Sequence, residues 1–177
     1  MIITIDGPAG SGKGTIAAAL AQKYKMAYFD TGMVYRAVGL QMVLNGYDLS
    51  DETKAASIAE SMSFPQMMKL AENKDFRSDV GSKAASVISA YPSVRSALLD
   101  MQKNFALNPV FADGTPAEGA IYDGRDTGTV ICPQADLKFY VIADLAIRAK
   151  RRCADLNAAG HNITFEQVYA DMKARDD

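Results

Sequence analysis

Residues 5–16 read IDGPAGSGKGTI, a glycine-rich stretch with a single lysine that directly follows a short β-branched run. The run IITID at residues 2–6 predicts a buried parallel strand, and the apolar spacing after it predicts a helix over about 13–24. A glycine-rich turn between strand and helix lets backbone amides converge on an anion at the helix N-terminus, where the dipole favours negative charge. The stretch therefore predicts an α/β fold organised around a phosphate-binding loop.

This loop departs in one place from the general pattern G-x-x-x-x-G-K-[ST]. Gly14 follows Lys13 directly, and the hydroxyl of Thr15 comes one position later. We expect Lys13 to reach the terminal phosphates of a nucleotide, and Thr15 to be available to a phosphate or to a magnesium ion. The alternative is a merely flexible turn. The predicted loop consists of Gly7, Pro8, Ala9, Gly10, Ser11, Gly12, Lys13, Gly14 and Thr15.

Strand and helix patterns alternate along the rest of the chain, which predicts a doubly wound parallel sheet in a single domain. Residues 64–76 have a weak pattern and are predicted to be irregular. In the first helix, Ile16, Leu20 and Tyr24 share one apolar face. The other predicted strands are at 27–30, 120–124 and 137–143, and the last two are expected to be buried. The other predicted helices are at 33–44, from Ser50, at 79–107 with a break at Pro92, and from Thr164, where Gln167 is in capping-box spacing. A loop is predicted at 108–119.

The composition narrows the class of protein. The chain has 177 residues, of which 49% are hydrophobic and 23% charged, and this balance is typical of a globular protein without a membrane span. A net charge of −2 gives no general attraction to nucleic acid or to anionic lipid. Cys132 and Cys153 lack metal-ligand spacing and are expected to be free thiols in a reducing cytoplasm. No signal peptide and no obligate protein partner are predicted.

Polar residues follow two of the predicted strands, at the sheet edge where α/β enzymes bind ligands. Thr31, Tyr35 and Arg36 come after the second strand, and an arginine there could form a bidentate pair with a second phosphate. Alternatively, Thr31 caps a helix and Arg36 is a surface charge. Asp123, Arg125 and Asp126 follow the third strand; their alternative is a turn with a local ion pair.

Three arginines, Arg148, Arg151 and Arg152, lie at i, i+3 and i+4 on one side of a predicted helix. From the spacing alone, a solvated basic face is the simplest interpretation of this cluster. A role in catalysis for these arginines comes only from the family resemblance given next, and for each arginine the two interpretations are about equally supported.

Six motifs in order resemble the cytidylate kinase family over nearly the whole chain: GPAGSGKGT, FDTGMVYRAV, FRSDVGSKAAS, YPSVRSALLDMQ, YDGRDTGTVICPQADLKFYV and RAKRR. The resemblance implies a P-loop kinase that transfers the terminal phosphoryl group of ATP to CMP or dCMP with Mg²⁺. It also implies a CMP-binding subdomain at about 60–95 and a lid at about 148–175.

The same resemblance assigns roles to individual residues. Gly7 to Thr15 would hold ATP, and Lys13, Arg125, Arg148 and Arg152 would serve catalysis. The substrate-binding set would be Thr31, Tyr35, Arg36, Ser86, Arg95, Arg125, Asp126 and Arg175, with Thr15 also near the metal. A carboxylate at Asp126 suits the exocyclic amine of cytosine, and Arg95 suits the ring nitrogen and carbonyl beside it. The alternative for Arg95 is an exposed residue beside the apolar stripe of its helix.

Two departures from the family pattern affect these expectations. The segment 63–76 is shorter than the family's insert, and the sequence stops at MKARDD, whereas the family continues with further aspartate and arginine positions, a final strand and a final helix. Without that strand, 137–143 is expected to be an apolar sheet edge that promotes self-association. Two other functions stay open: nucleotide binding without turnover, and a P-loop kinase acting on another monophosphate such as AMP or UMP.

Overall fold

The computed structural model describes residues 1–158 and 160–176, with the side chain of Arg175 also left out. Strands and helices alternate as the sequence predicts. The elements are β1 (Ile2–Asp6), α1 (Lys13–Tyr24), β2 (Ala27–Asp30), α2 (Gly32–Leu44), α3 (Glu52–Ser61), α4 (Phe64–Ala71), α5 (Asp79–Ile88), α6 (Pro92–Leu107), β3 (Ala120–Gly124), a single π-helical turn (Thr127–Ile131, the π turn), β4 (Leu137–Tyr140), α7 (Leu145–Ala158) and α8 (Phe165–Asp176).

The four described strands form one parallel sheet in the order β2-β3-β1-β4. In this register Asp6 is opposite Gly124, and Asp30 is opposite Asp123. The carboxyl ends of the strands therefore meet at one edge, which brings the glycine-rich loop, the start of α2 and the π turn together. The predicted parallel α/β fold is confirmed.

Helices cover both faces of the sheet. Alternate residues of β3 enter different cores: Ile121 packs with the α1 side, whereas Ala120 and Tyr122 pack with the larger core of α2, α3, α4 and α6. In the larger core the Phe29 and Phe105 rings lie 4.6 Å apart between centroids. The doubly wound arrangement follows from this two-sided burial.

The prediction of an irregular segment at 64–76 is wrong for its first half. Residues Phe64–Ala71 form α4, whose N-terminus carries a capping box: Gln66 Oε1 accepts from Ser63 N at 2.8 Å, and a proline lies in the first turn. Phe64, Met67, Met68 and Ala71 lie at i, i+3, i+4 and i+7, so this helix of 8 residues has an apolar face, although only Met67 is buried. The cap and the helical spacing both indicated a helix here.

The predicted apolar face of α1 is wrong for two of its three residues, since only Leu20 packs against the core. Ile16 and Tyr24 are 44% and 56% exposed, while Ala17 and Ala21 are buried against the sheet. Small side chains at i and i+4 allow the helix to approach the strands closely, so the alanines form the packing face. At α3 the N-cap is Asp51, which accepts from Lys54 N at 2.8 Å, one residue after the predicted Ser50.

The strand predicted at 137–143 is shorter and less buried than expected. It ends at Tyr140, and all four residues of β4 are exposed; among the described strands β4 pairs only with β1. The expectation of a buried strand is wrong, and the expectation of an exposed apolar edge is confirmed.

Helices α7 and α8 pack against each other around Ala149, Val168 and Met172. The predicted capping box at the start of α8 is present, with Thr164 N donating to Gln167 Oε1 at 3.0 Å. This hairpin reaches the glycine-rich loop, since a Cβ on Gly10 would lie 3.3 Å from Met172 Cε. Across residues 1–158 and 160–176, no helix combines the length and the apolar character that crossing a bilayer requires.

Candidate active site

The glycine-rich loop joins β1 to α1 in a conformation that glycine favours. Gly10 and Gly12 have φ values of +73° and +93°, in the left-handed region. The first helical hydrogen bond runs from Ile16 N to Gly12 O at 3.1 Å. In the described part of the chain the amides of residues 13–15 have no backbone acceptor. Amides left without partners at a helix N-terminus form an anion site.

Lys13 is paired with a carboxylate from β3. Its Nζ lies 3.5 Å from Asp123 Oδ1, and Tyr28 Oη donates to Asp123 Oδ2 at 3.2 Å. The same carboxylate explains the glycine after the lysine, because a Cβ on Gly14 would lie 2.8 Å from Asp123 Oδ2 and 3.6 Å from Tyr28 Oη. A serine or threonine at position 14 would therefore collide with this pair.

Burial raises the pKa values of both Asp123 and Tyr28. It raises the pKa of the Asp123 carboxyl above its ordinary value, and the positive charge of Lys13 only partly offsets that effect. Burial, followed by the negative charges of Asp30 and Asp123, raises the pKa of the Tyr28 phenol, which therefore stays protonated and able to donate. Asp123 Oδ1 accepts no hydrogen bond from the described residues.

A second cationic group lies at the start of α2. Arg36 Nη1 contacts Asp30 Oδ2 at 3.2 Å, and the other oxygen of Asp30 accepts from Gly32 N at 2.8 Å. Arg36 Nε is buried and has no hydrogen-bond partner among the described residues. Thr31 is held structurally, since its Oγ1 donates to Asp123 O at 2.9 Å. Arg36 therefore keeps part of its donor capacity for a ligand.

The third part of the site is a pocket between α2, α6 and the π turn. Arg95 Nη2 donates to Asp126 Oδ2 at 2.5 Å, and the Arg95 guanidinium carbon lies 6.0 Å from the centre of the Tyr35 ring. These residues line a cavity of about 200 Å³ together with Gln102 and Leu99. The Arg95 and Asp126 side chains are 44% and 32% exposed, so their pairing adds little stability and is easily exchanged for a ligand.

The predicted lid arginines differ in their surroundings. Arg148 is 5% exposed; its Nη1 donates to Ala9 O at 3.1 Å, its Nε donates to Ala143 O at 2.9 Å, and it also contacts Asp176. Arg148 thereby attaches α7 to the glycine-rich loop. Arg151 is exposed and Arg152 is half-buried; neither forms an ion pair within residues 1–158 and 160–176.

Three other predicted site residues are not joined to the pocket by described contacts. Ser86 is exposed on α5, and no described hydrogen bond links its side chain to Arg95 or Asp126. Arg125 is exposed directly after β3 and has a contact of its own. Arg175 belongs to α8, but its side chain lies outside the described part.

Sequence reasoning missed three residues of the site: Tyr28, Asp30 and Gln102. Tyr28 and Asp30 had a usable signal, since β2 ends in aspartate and Tyr28 lies two residues before that end. Gln102 had no such signal, because it occupies a position on the apolar side of α6. It is 2% exposed, and its Oε1 has no described partner.

Taken together, the glycine-rich loop, Lys13 and the surrounding arginines lie at the carboxyl edge of a parallel sheet, where α/β proteins bind ligands. Comparisons with known proteins agree with this class. The family model described as cytidylate kinase matches residues 3–177. The chain therefore belongs to the cytidylate kinase family.

Individual relatives are similar over almost the whole chain. A cytidylate kinase of Rhodospirillum rubrum is 45% identical over 99% of this chain and 79% of its own length. Those of Rhodopseudomonas palustris (strain BisA53) and Bradyrhizobium sp. (strain ORS 278) are 44% and 46% identical over all of this chain and 78% of their own. A crystal structure of a Thermus thermophilus protein covers 98% of this chain and 79% of its own at 21% identity and a TM-score of 0.43, too low a likeness to add to the fold.

Proposed function

We propose that this protein transfers the terminal phosphoryl group of ATP to CMP or dCMP, forming ADP and CDP or dCDP. One observation carries the proposal: the Lys13 loop and Asp126, which pairs with Arg95, follow the carboxyl ends of the neighbouring parallel strands β1 and β3, and Asp123 at the end of β3 pairs with Lys13. A donor phosphate site and an acceptor base site that share one edge suit transfer between two nucleotides.

The donor side is the glycine-rich loop. Its free amides and the dipole of α1 would hold the β- and γ-phosphates of ATP, and Lys13 would exchange Asp123 for a phosphate oxygen. The oxygen donors Asp123 and Thr15 fit Mg²⁺, a hard cation that usually binds one or two protein oxygens together with phosphates. The carboxylate oxygen of Asp123 that lacks a hydrogen bond supports this fit. When bound, Mg²⁺ would neutralise phosphate charge.

The acceptor phosphate would meet Arg36 and Arg125. Arg36 already has one side fixed by Asp30, so that its planar group is oriented before a ligand arrives. Its unpartnered Nε could donate a hydrogen bond to a phosphate oxygen. Tyr35 and Thr31 are proposed to support this side of the site, and Arg175 is proposed to approach from α8.

The acceptor base would enter the cavity beside Arg95 and Asp126. The Asp126 carboxylate would accept from the exocyclic amine of cytosine, and Arg95 would donate to the ring nitrogen and carbonyl. Uracil has a carbonyl in place of that amine, so it would face Asp126 with two acceptors and no proton between them. Buried polar groups that are left unpaired discriminate strongly between substrates. Ser86 is proposed to complete this contact.

Phosphoryl transfer needs alignment and positive charge more than covalent help. Lys13 and Arg125 would stabilise the charge on the phosphoryl group, with Arg148 and Arg152 from the lid. Arg148 would act there after exchanging its Asp176 contact for phosphate, while its bonds to Ala9 and Ala143 keep it oriented. We assign no general base. Closure of the α7–α8 lid would exclude water and limit ATP hydrolysis.

The wider biological setting is proposed on the same grounds. We place the subdomain that binds CMP at about residues 60–95 and the lid at about 148–175. The partners are small nucleotides rather than nucleic acid, membrane or an obligate protein subunit, and the location is cytoplasmic. Free thiols at Cys132 and Cys153 support a reducing compartment.

The decisive experiment offers CMP, dCMP, UMP and AMP separately to the protein with ATP and Mg²⁺, and measures ADP release. We expect turnover with CMP and dCMP, and its loss in Asp126→Ala. Equal or greater turnover with UMP or AMP would indicate a different monophosphate kinase. ATP binding without turnover of any acceptor would indicate a nucleotide-binding protein that lacks the activity.

A further inference from the structure

A buried carboxylate with no role in the proposed reaction joins β1 to the π turn. Asp6, the last residue of β1, is 7% exposed. Its Oδ1 accepts from Thr127 N at 2.9 Å and from Thr127 Oγ1 at 2.7 Å, and its Oδ2 accepts from Gly128 N at 2.9 Å. Both oxygens are thus fixed to a segment 121 residues further along the chain.

The two amides that Asp6 binds are the first two of the π turn. Amides at a helix start need an acceptor, and the side chain at the N-cap usually provides it. The N-cap here is Asp126, a residue type that caps well, yet its side chain makes no capping hydrogen bond. Only its carbonyl oxygen serves the turn, accepting from Val130 N at 2.8 Å. The Asp126 carboxylate is bonded to Arg95 instead.

We propose that Asp6 is a positioning residue for base selection. By capping the π turn from β1, it frees the Asp126 carboxylate to face Arg95 and the cavity. This inference rests on the proposed function, because that function assigns Asp126 to the cytosine amine. Without the Asp6 carboxylate, the uncapped amide of Gly128, the second residue of the turn and a usual partner of an N-cap side chain, would draw the Asp126 side chain back onto its own turn.

Close packing of the π turn on β1 favours rotation of the Asp126 side chain over a shift of the whole turn when Asp6 is replaced. A Cβ on Gly128 would lie 2.7 Å from Thr4 Oγ1, so the turn is seated directly on β1 and has little room to shift as a body. Rotation of one side chain is the smaller movement. In Asp6→Asn, one acceptor oxygen becomes an NH₂ donor that faces a backbone amide, and that amide then needs a new acceptor.

The test compares kcat/KM for CMP and for UMP in the wild type and in Asp6→Asn. The CMP preference is expected to fall by at least about tenfold, in line with the loss of one base-reading side chain, while KM for ATP changes little. Thr127→Val is the matched control: it removes the hydroxyl bond but keeps both amide bonds, and it should retain the preference. The double variant Asp6→Asn/Asp126→Asn should match Asp126→Asn alone, because both changes act through one carboxylate.

Wild-type turnover of CMP is established first, so a failed inference in an active enzyme leaves the proposed function standing. A folded Asp6→Asn with wild-type preference, or with equal losses for CMP and UMP, would overturn the inference. Hydrogen exchange gives a second test that does not need the Asp6 variant to fold. The amides of Thr127 and Gly128 should stay protected in Asp126→Asn, because Asp6 caps them; loss of their protection there would also overturn the inference.

Discussion

Lys13 Nζ lies 3.5 Å from Asp123 Oδ1, and the two side chains are only 16% and 10% exposed. This contact joins the glycine-rich loop to the strand that leads to the Arg95–Asp126 pocket. Because both groups are largely desolvated, removing one leaves the other poorly compensated. The pair therefore holds Lys13 at the loop before a phosphate binds.

Replacing Lys13 with methionine removes the charge and keeps most of the volume. We expect kcat for phosphoryl transfer to CMP to fall by at least about 100-fold, the usual loss when one preorganised group at a charged transition state is removed. Lys23→Met, at an exposed position of the same helix, is the control and should leave kcat unchanged. A Lys13→Met enzyme within a few-fold of wild type would contradict the assignment.

Gly14→Ser restores the hydroxyl of the general phosphate-loop pattern at the position after the lysine. We nevertheless expect kcat/KM for ATP to fall by about tenfold or more, because the new Cβ forces Asp123 away from Lys13 and Tyr28. Ala18→Ser, exposed on the same helix, controls for the serine itself. A Gly14→Ser enzyme with wild-type kinetics would mean that Asp123 can move aside without cost.

The contrast between Lys13 and Asp123 shows what the sequence could predict. The loop is a local strand, glycine and helix pattern, so its position followed from residues 5–16, whereas its role stays a prediction. The contact with Asp123 depends on the pairing of strands distant in sequence, which no local pattern encodes. For the same reason the Asp6 cap and the buried Gln102 were missed. Arg95 and Asp126 were placed together because their chemistry suits one base and not because of a local pattern. The α1 face failed because alanine carries little apolar signal.

Arg36→Lys keeps the positive charge but loses the planar group and its unpartnered Nε. The acceptor phosphate would then lose its bidentate contact, so we expect KM for CMP to rise by about tenfold while KM for ATP stays near wild type. Steady-state kinetics with each substrate varied in turn measure the split. Lys103→Arg, exposed on α6, is a control outside the site. An equal rise in both KM values would place Arg36 outside the acceptor subsite.

The Asp123 carboxyl should impose a pH dependence on stability. Burial raises its folded-state pKa above the ordinary 3.8, so the stability it contributes is fully present below that value and is lost as the pH rises through the folded pKa. Asp123→Asn cannot ionise. In thermal melts without nucleotide or metal, the Tm of the variant relative to wild type should therefore increase as the pH rises from about 3.8. A relative Tm that decreases over this range would mean that the Lys13 charge outweighs burial.

The exposed edge strand β4 should promote self-association. Phe139 and Tyr140 are 49% and 68% exposed on a strand that pairs on one side only in the described structure. Unpaired backbone groups beside apolar side chains favour strand addition. We expect concentration-dependent oligomers in sedimentation velocity, and fewer of them in Phe139→Lys. Lys103→Arg, which keeps the charge at an exposed position outside β4, is the control and should associate like wild type. A strictly monomeric profile at high concentration would contradict this expectation.

We propose that the Lys13 loop and the Arg95–Asp126 pocket act on two nucleotides in one reaction. The most direct measurement incubates the protein with ATP carrying a labelled γ-phosphate, Mg²⁺ and CMP, and follows ADP and labelled CDP by chromatography. We expect one CDP for each ADP, with the label in CDP, and loss of both products in Asp126→Ala. ADP formed with free phosphate and no labelled CDP, or no ADP at all, would contradict it.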